Sequence, residues 1–371
     1  MSQAYLNPNE KVLYTLRDLY RSFGYLPYKV SKFEEYDLYV QNRNFLDCGR
    51  ILTFTDTDGR LMALKPDITL SIVKNSKPSS KMHKVCYTEN VYRAPHQDGF
   101  REIPQTGLEC IGEIDLYAMS EVVMLAVQSL NTISDRSLLD LSHMGVISGI
   151  LAQISYDQAT GQQILQAIGA KNVHELRRIC NAAGLEESAC ELLAQLIQIS
   201  GPLKQTLEQT KALPLPADSL ASLAELEDMS RLLELYGVQD QINLDFSIIN
   251  DMDYYNGVFF RGYVDGIPAA VLSGGRYDKL MEKMGRSGCG AIGFAVYLDQ
   301  LERFGRQPSA FDADALILYD DDSDLQLVIR TARSWHDMGK TVRVQRHRGL
   351  IACRQLIRIR GKEVAILETN D

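Results

Sequence analysis

Between Leu244 and Leu301 the chain runs through three segments that leave few folds open: LDFSIINDMDYYNGVFFRGYVDG, IPAAVLSGGRYDKLMEKMG and GCGAIGFAVYLDQL. Aromatic and β-branched residues broken by Gly and Asp are the pattern of paired strands. A short apolar strand is expected to lead into Gly274, Gly275 and Arg276, with a helix opening from Tyr277 to Met284. Glycine has no Cβ, so two in a row let the backbone come close to a neighbour or a small ligand. Taken alone, the pair is either an ordinary turn or a ligand loop.

The rest of the composition narrows the class. With 371 residues the chain can bury a substantial core in two or three domains. Its 45% hydrophobic and 23% charged residues are ordinary for a globular protein. A formal charge of −9 disfavours a broad electropositive surface, so nucleic acid is not an expected partner. Seven cysteines are scattered without a CxxC pair or a His/Cys cluster at metal spacing. They are expected to be reduced thiols of a cytoplasmic protein, with no metal and no cofactor. No leader and no apolar run long enough to span a bilayer is visible, so no membrane association is expected.

In chain order, PNEKVLYTLRDLYRSF (8–23) has helical spacing and stops at Gly24. RILTFTDTDGRLMALKPDITLSIVKN (50–75) predicts two strands around an Asp58-Gly59 turn, then a helix near Ile68. Asp67 and Thr69 stand where they either cap that helix or offer a carboxylate and a hydroxyl to a ligand. KVCYTENVYRAPHQDGFREIPQTGLECIGE (84–113) predicts strand, loop, strand. The two-residue period of the second strand puts Gln105, Gly107 and Glu109 on one face and Leu108 and Cys110 on the other, which suits a strand lining a polar pocket or one facing solvent. AMSEVVMLAVQSLNTI is helical, and SLLDLSHMGVISGILAQI is a strand and helix with His143, either a structural histidine or a ligand, at the junction. Residues 155–240 are Leu-, Ala- and Gln-rich helices interrupted by Pro214 and Pro216. Beyond Pro308 the pattern predicts a compact β-α-β-α-β unit, with one basic run, Arg343 to Arg348.

DMDYYNGVFF, then GGRYDKL, then AIGFA at the head of a helix resemble the histidine-specific region and third motif of histidyl-tRNA synthetases. LKPDIT resembles that family's LRPE-x-T segment, and residues 84–113 resemble its second motif. The resemblance implies an α+β fold: a class II aminoacyl-tRNA synthetase-like antiparallel sheet core flanked by helices. The core would comprise 1–154 and 241–307, with a helical insertion at 155–240. A small C-terminal α/β unit at 312–371 would be a reduced anticodon-binding-like domain. It also implies a histidine pocket built from Asp67, Thr69, Arg93, Gln105, Glu109, Tyr254, Tyr255, Gly274, Gly275, Arg276 and Tyr277. Arg101 competes with Arg93 for the second-motif arginine. A dimer through the N-terminal helix and strand is implied too, although Ser31 stands where that strand usually has proline.

The nucleotide half departs from the family. Asn250 and Gln300 occupy positions of two ATP-gripping arginines, Tyr297 replaces a small glycine and Arg261 a glutamate. Each such donor is worth about 10²–10³ in rate, so losing two removes roughly 10⁴–10⁶ if additive. A polar pocket kept beside lost catalytic donors resembles the regulatory subunits of ATP phosphoribosyltransferase over residues 5 to 305. That resemblance implies no catalytic residues, a hetero-octamer with the short catalytic subunit, and histidine as feedback effector. The rival readings are a divergent histidyl-tRNA synthetase or histidine-adenylating enzyme, and a tRNA-binding pseudo-synthetase.

Overall fold

The computed structural model describes residues 8–42, 46, 51–76, 81–94, 99–249, 255–304 and 311–370. It divides into two compact units, Val12–Phe304 and a second that comprises Met1–Lys11 and Gly305–Asp371.

Helix α1 (Pro8–Ser22) runs into the first unit from Val12 on and buries Leu16 and Tyr20 there, four residues apart, as the helical period requires. A small antiparallel sheet follows the edge strand β1 (Leu26–Pro27) and is made of β2 (Phe33–Glu35), then, after α2 (Tyr36–Gln41), β3 (Thr53–Thr55) and β4 (Leu61–Leu64). The turn between β3 and β4 closes at Gly59, whose φ of 79° lies in the left-handed region that glycine tolerates. The helix α3 (Thr69–Asn75) leads to a long antiparallel hairpin, β5 (His83–Arg93) and β6 (Arg101–Gly112). Next comes α4 (Leu116–Ile133), capped by Asp115 accepting from the Ala118 amide, then β7 (Ser137–His143) and α5 (Met144–Leu151).

Helices α6 (Gln158–Gly169), α7 (Val173–Ala182) and α8 (Glu187–Leu196), β8 (Ser200–Pro202), and helices α9 (Leu203–Lys211) and α10 (Ala217–Leu235) fill the middle of the chain. Asp157 and Asn172 cap α6 and α7 through the Thr160 and Glu175 amides. The apolar residues of these helices join the same core as the sheet. The chain returns through β9 (Ile242–Asp245), β10 (Val258–Val264), β11 (Leu272–Arg276), α11 (Asp278–Lys283), β12 (Gly290–Tyr297) and α12 (Leu298–Phe304).

The main sheet has nine strands in the order β1-β5-β6-β12-β11-β10-β7-β9-β8, antiparallel from β5 through to β7. It is the class II synthetase-type α+β core. α4 lies on one face of it; by length and composition this helix could cross a membrane, yet Val122 to Val127 are each at most 1% exposed within the core. Its apolarity is spent on packing. Two sequence expectations change here. Gly274 and Gly275 sit inside strand β11 rather than in a turn after it, and Tyr297 closes strand β12 instead of lying in a helix.

The second unit holds β13 (Ala313–Tyr319), α13 (Leu325–Asp337), β14 (Val342–Gln345), β15 (Cys353–Arg360) and β16 (Glu363–Thr369) in a sheet ordered β14-β13-β15-β16. Residues 353–360, expected as a second helix, form a strand. Ile357 and Ile359 alternate into the core beneath α13, and β15 finds partners on both sides, parallel to β13 and antiparallel to β16.

Candidate ligand-binding site

Strand alternation divides the main sheet into two unlike faces. Leu108, Cys110, Ile292, Phe294, Phe260 and Leu141 point into the core shared with α4. On the opposite face one cross-strand row runs Ser142, Phe259, Gly275, Gly293, Glu109 and Val85. The neighbouring row carries Asp140, Arg261, Ser273, Ala295, Gly107 and Tyr87, and Tyr297 pairs with Gln105 one step further. Small residues in the middle with polar and aromatic ones at either side make a trough.

The glycine pair at the centre is required by sterics. A Cβ on Gly293 would strike the Glu109 carboxylate and the Leu108 carbonyl, and one on Gly275 would stand 2.6 Å from the Val258 carbonyl oxygen and 2.7 Å from the Tyr255 ring. The Glu109 side chain and the Tyr255 ring therefore lie over bare backbone. Phe259 packs beside Tyr255 with ring centroids 4.8 Å apart.

Glu109 is 2% exposed. Thr69 Oγ1 donates to its Oε1 at 2.8 Å and the Tyr277 hydroxyl donates to its Oε2 at 2.5 Å. Thr69 reaches it because α3 begins there, and Tyr277 because its amide donates to the Ala291 carbonyl at the turn into α11. Burial pushes the Glu109 carboxyl up to about 8; the two hydroxyl donors oppose the rise and Asp67 adds to it. Asp67 is also raised by burial, against the pull of the Leu70 amide and the Arg93 guanidinium. The Tyr87 and Tyr255 phenols stand well above their ordinary value, first from burial and then from the carboxylates and Tyr297 around them. Two carboxyls, a threonine and three tyrosines form an acceptor-rich wall, suited to a ligand that brings N–H donors.

The structure thus brings Asp67, Thr69, Glu109, Tyr255 and Tyr277 together over the Gly275 floor. Asp67 also does the structural job weighed for it, accepting from the Leu70 amide at 2.8 Å, while Thr69 turns to Glu109 instead of capping. Arg93, of the same strand parity as Val85 and Tyr87, donates from Nε to the Pro66 carbonyl at 2.8 Å, and its charge acts on Asp67. Gln105, 3% exposed, lies on the trough face, and its Nε2 has no hydrogen-bond partner.

Arg276 is a correction. As the residue after Gly275 it points to the other face, where Nε donates to Asp278 at 2.8 Å and the guanidinium meets Met119 of α4 and Glu225 of α10. There Glu225 also accepts His143, whose other ring nitrogen caps α5 at the Gly145 amide, so His143 has a structural role. Tyr254 and Asn250 lie outside the described residues. Gln300 donates to the adjacent Asp299 at 3.0 Å. Gly293 and Phe259 escaped the sequence reading, although the alternation in AIGFA and VFF carried the signal. Among the described residues no group of three His, Cys, Asp or Glu could hold a metal ion.

A mixed sheet of this order, with a polar trough on one face and a buried helix on the other, defines a class II aminoacyl-tRNA synthetase-like core. The histidyl-tRNA synthetase family model matches residues 3–301. The ATP phosphoribosyltransferase regulatory subunit of Moorella thermoacetica is 30% identical over 336 residues, 88% of this chain and 85% of that protein. An ATP phosphoribosyltransferase regulatory subunit/histidyl-tRNA synthetase from Bacillus halodurans C has the same fold, with a TM-score of 0.79 at 22% identity over 95% of this chain and 94% of its own. A chain of the ATP phosphoribosyl transferase (HisG:HisZ) complex from Thermotoga maritima matches with a TM-score of 0.62 at 20% identity, over 78% of this chain and 97% of its own. The chain belongs to the ATP phosphoribosyltransferase regulatory subunits, within the histidyl-tRNA synthetase family.

Proposed function

We propose that this chain is a non-catalytic subunit of an ATP phosphoribosyltransferase complex: it is required by the short catalytic subunit and carries histidine feedback through the trough. The observation that carries the reading is Glu109, buried and clasped by Thr69 and Tyr277 over a glycine floor. A carboxyl kept out of water at such cost has a use, and an imidazole fits its hydrogen-bonding needs. The nucleotide half supports the non-catalytic part: Gln300 is turned to Asp299, and Tyr297 occupies the trough face where a small residue would leave room. Partnership is supported by the relatives' names and by the two-protein complex from Thermotoga maritima. Histidine would act by binding one conformation of the complex more tightly than another.

The test is reconstitution. Purified chain added to the short catalytic subunit should restore phosphoribosyl transfer, and histidine should suppress it; Glu109→Ala should assemble normally but lose the suppression. Histidine-dependent ATP–pyrophosphate exchange by the chain alone would overturn the non-catalytic reading.

A further inference from the structure

Arg261 is a cation of the trough face on strand β10. It lies on the same face as Phe259, two residues away along β10, with its guanidinium carbon 5.3 Å from the Phe259 ring centroid. The Phe259 ring on which it stacks packs beside Tyr255. Among the described residues it pairs with no carboxylate. The acid nearest in register, Asp140, is bonded to Asn243 and placed beside Lys171 and Asp245. A half-buried guanidinium with five donors and no acceptor is an expensive arrangement unless something supplies one.

Asp67, Thr69 and Glu109 gather at the β6 side and accept or share protons. Arg261 is a donor on β10 on the same face, while the unpartnered Gln105 Nε2 is a donor on β6 itself. β6 and β10 are three strand spacings apart, about 14 Å between backbones. A ligand with N–H groups at one end and an anion at the other matches this polarity.

We propose that Arg261 receives the α-carboxylate of the bound amino acid, taking over anion recognition on strand β10. The inference rests on the histidine reading and adds the residue that decides between an amino acid and its uncharged derivatives. A planar guanidinium grips a carboxylate through two parallel hydrogen bonds, which an ammonium cannot copy.

Calorimetry on the full-length chain tests it with L-histidine, L-histidinamide and ATP. The wild type should prefer histidine to histidinamide by tenfold or more. R261Q should lose at least tenfold for histidine while binding histidinamide within about twofold of wild type, which also shows that the variant is folded. R261K should fall between. Equal histidine affinity in wild type and R261Q, or equal losses for both ligands, overturns the assignment while leaving the histidine reading intact. Loss of ATP binding in R261Q with histidine unchanged assigns the guanidinium to phosphate and overturns it likewise. A wild-type chain that binds no histidine removes both.

Discussion

A carboxyl that titrates near 4.5 in an unfolded chain and near 8 in the folded pocket makes stability depend on pH, and Glu109 is such a group. Between those values the native state holds a proton that the unfolded chain has released. Stability therefore declines as pH rises from about 4.5 to about 8, by an amount on the order of a few kcal/mol. Glu109→Gln cannot titrate, so its stability should be flatter than wild type across that interval in urea denaturation at pH 5, 6.5 and 8. Identical slopes in the two proteins would show that Glu109 is ionised throughout. The same proton bears on the proposed ligand. If Glu109 and the bound imidazole hold one proton between them, histidine arriving below about pH 6.5 must shed one, and above about pH 8 one must be taken up. Histidine affinity should then peak between those limits in calorimetric titrations. This residue was legible in the sequence because Gln105, Gly107 and Glu109 alternate with Leu108 and Cys110. Arg276 was misplaced for the complementary reason: the same two-residue period, applied across Gly275 and Arg276, sends the arginine to the α4 face.

The sheet rather than any loop sets the shape of the site. Gly275 and Gly293 face each other on β11 and β12, and Glu109 follows in register on β6, so three strands must keep their pairing for one carboxyl to find its place. Gly293→Ala puts a methyl group against the Glu109 carboxylate. Overpacking of this kind costs about 1–3 kcal/mol. The variant should melt earlier and lose histidine binding altogether, whereas Leu125→Ala in α4 should cost about 2–5 kcal/mol and leave affinity unchanged in the folded fraction. Equal affinity in Gly293→Ala and wild type would mean that the floor of the trough is not part of the site. Sequence patterning exposed the β5–β6 hairpin and α4 well, since each has a long unbroken period. It failed where runs were short. Two glycines in a strand look like a turn until the partner strand is known, and CRQLIRIR becomes a strand only because β13 and β16 flank it.

At the scale of the chain, charge and packing bear on two questions that periodicity leaves open. Two arginines of the basic run near residue 345 are paired locally: Arg346 with Asp321, stacking over Tyr319, and Arg348 bidentate to Glu368. With the formal charge of −9 this argues against a polyanion groove on the second unit. That unit has its own small cores, around Ile317 and Ile357 on one side of its sheet and Leu316 and Leu356 on the other. Every described residue of the trough lies within Val12–Phe304. A chain ending at Phe304 should therefore fold, bind histidine with full affinity and assemble with the short catalytic subunit. Calorimetry and mass measurement of the co-expressed assembly check this. Loss of histidine binding in a folded truncation would place part of the site beyond Phe304. Retained binding with lost assembly would give the second unit the task of gripping the partner.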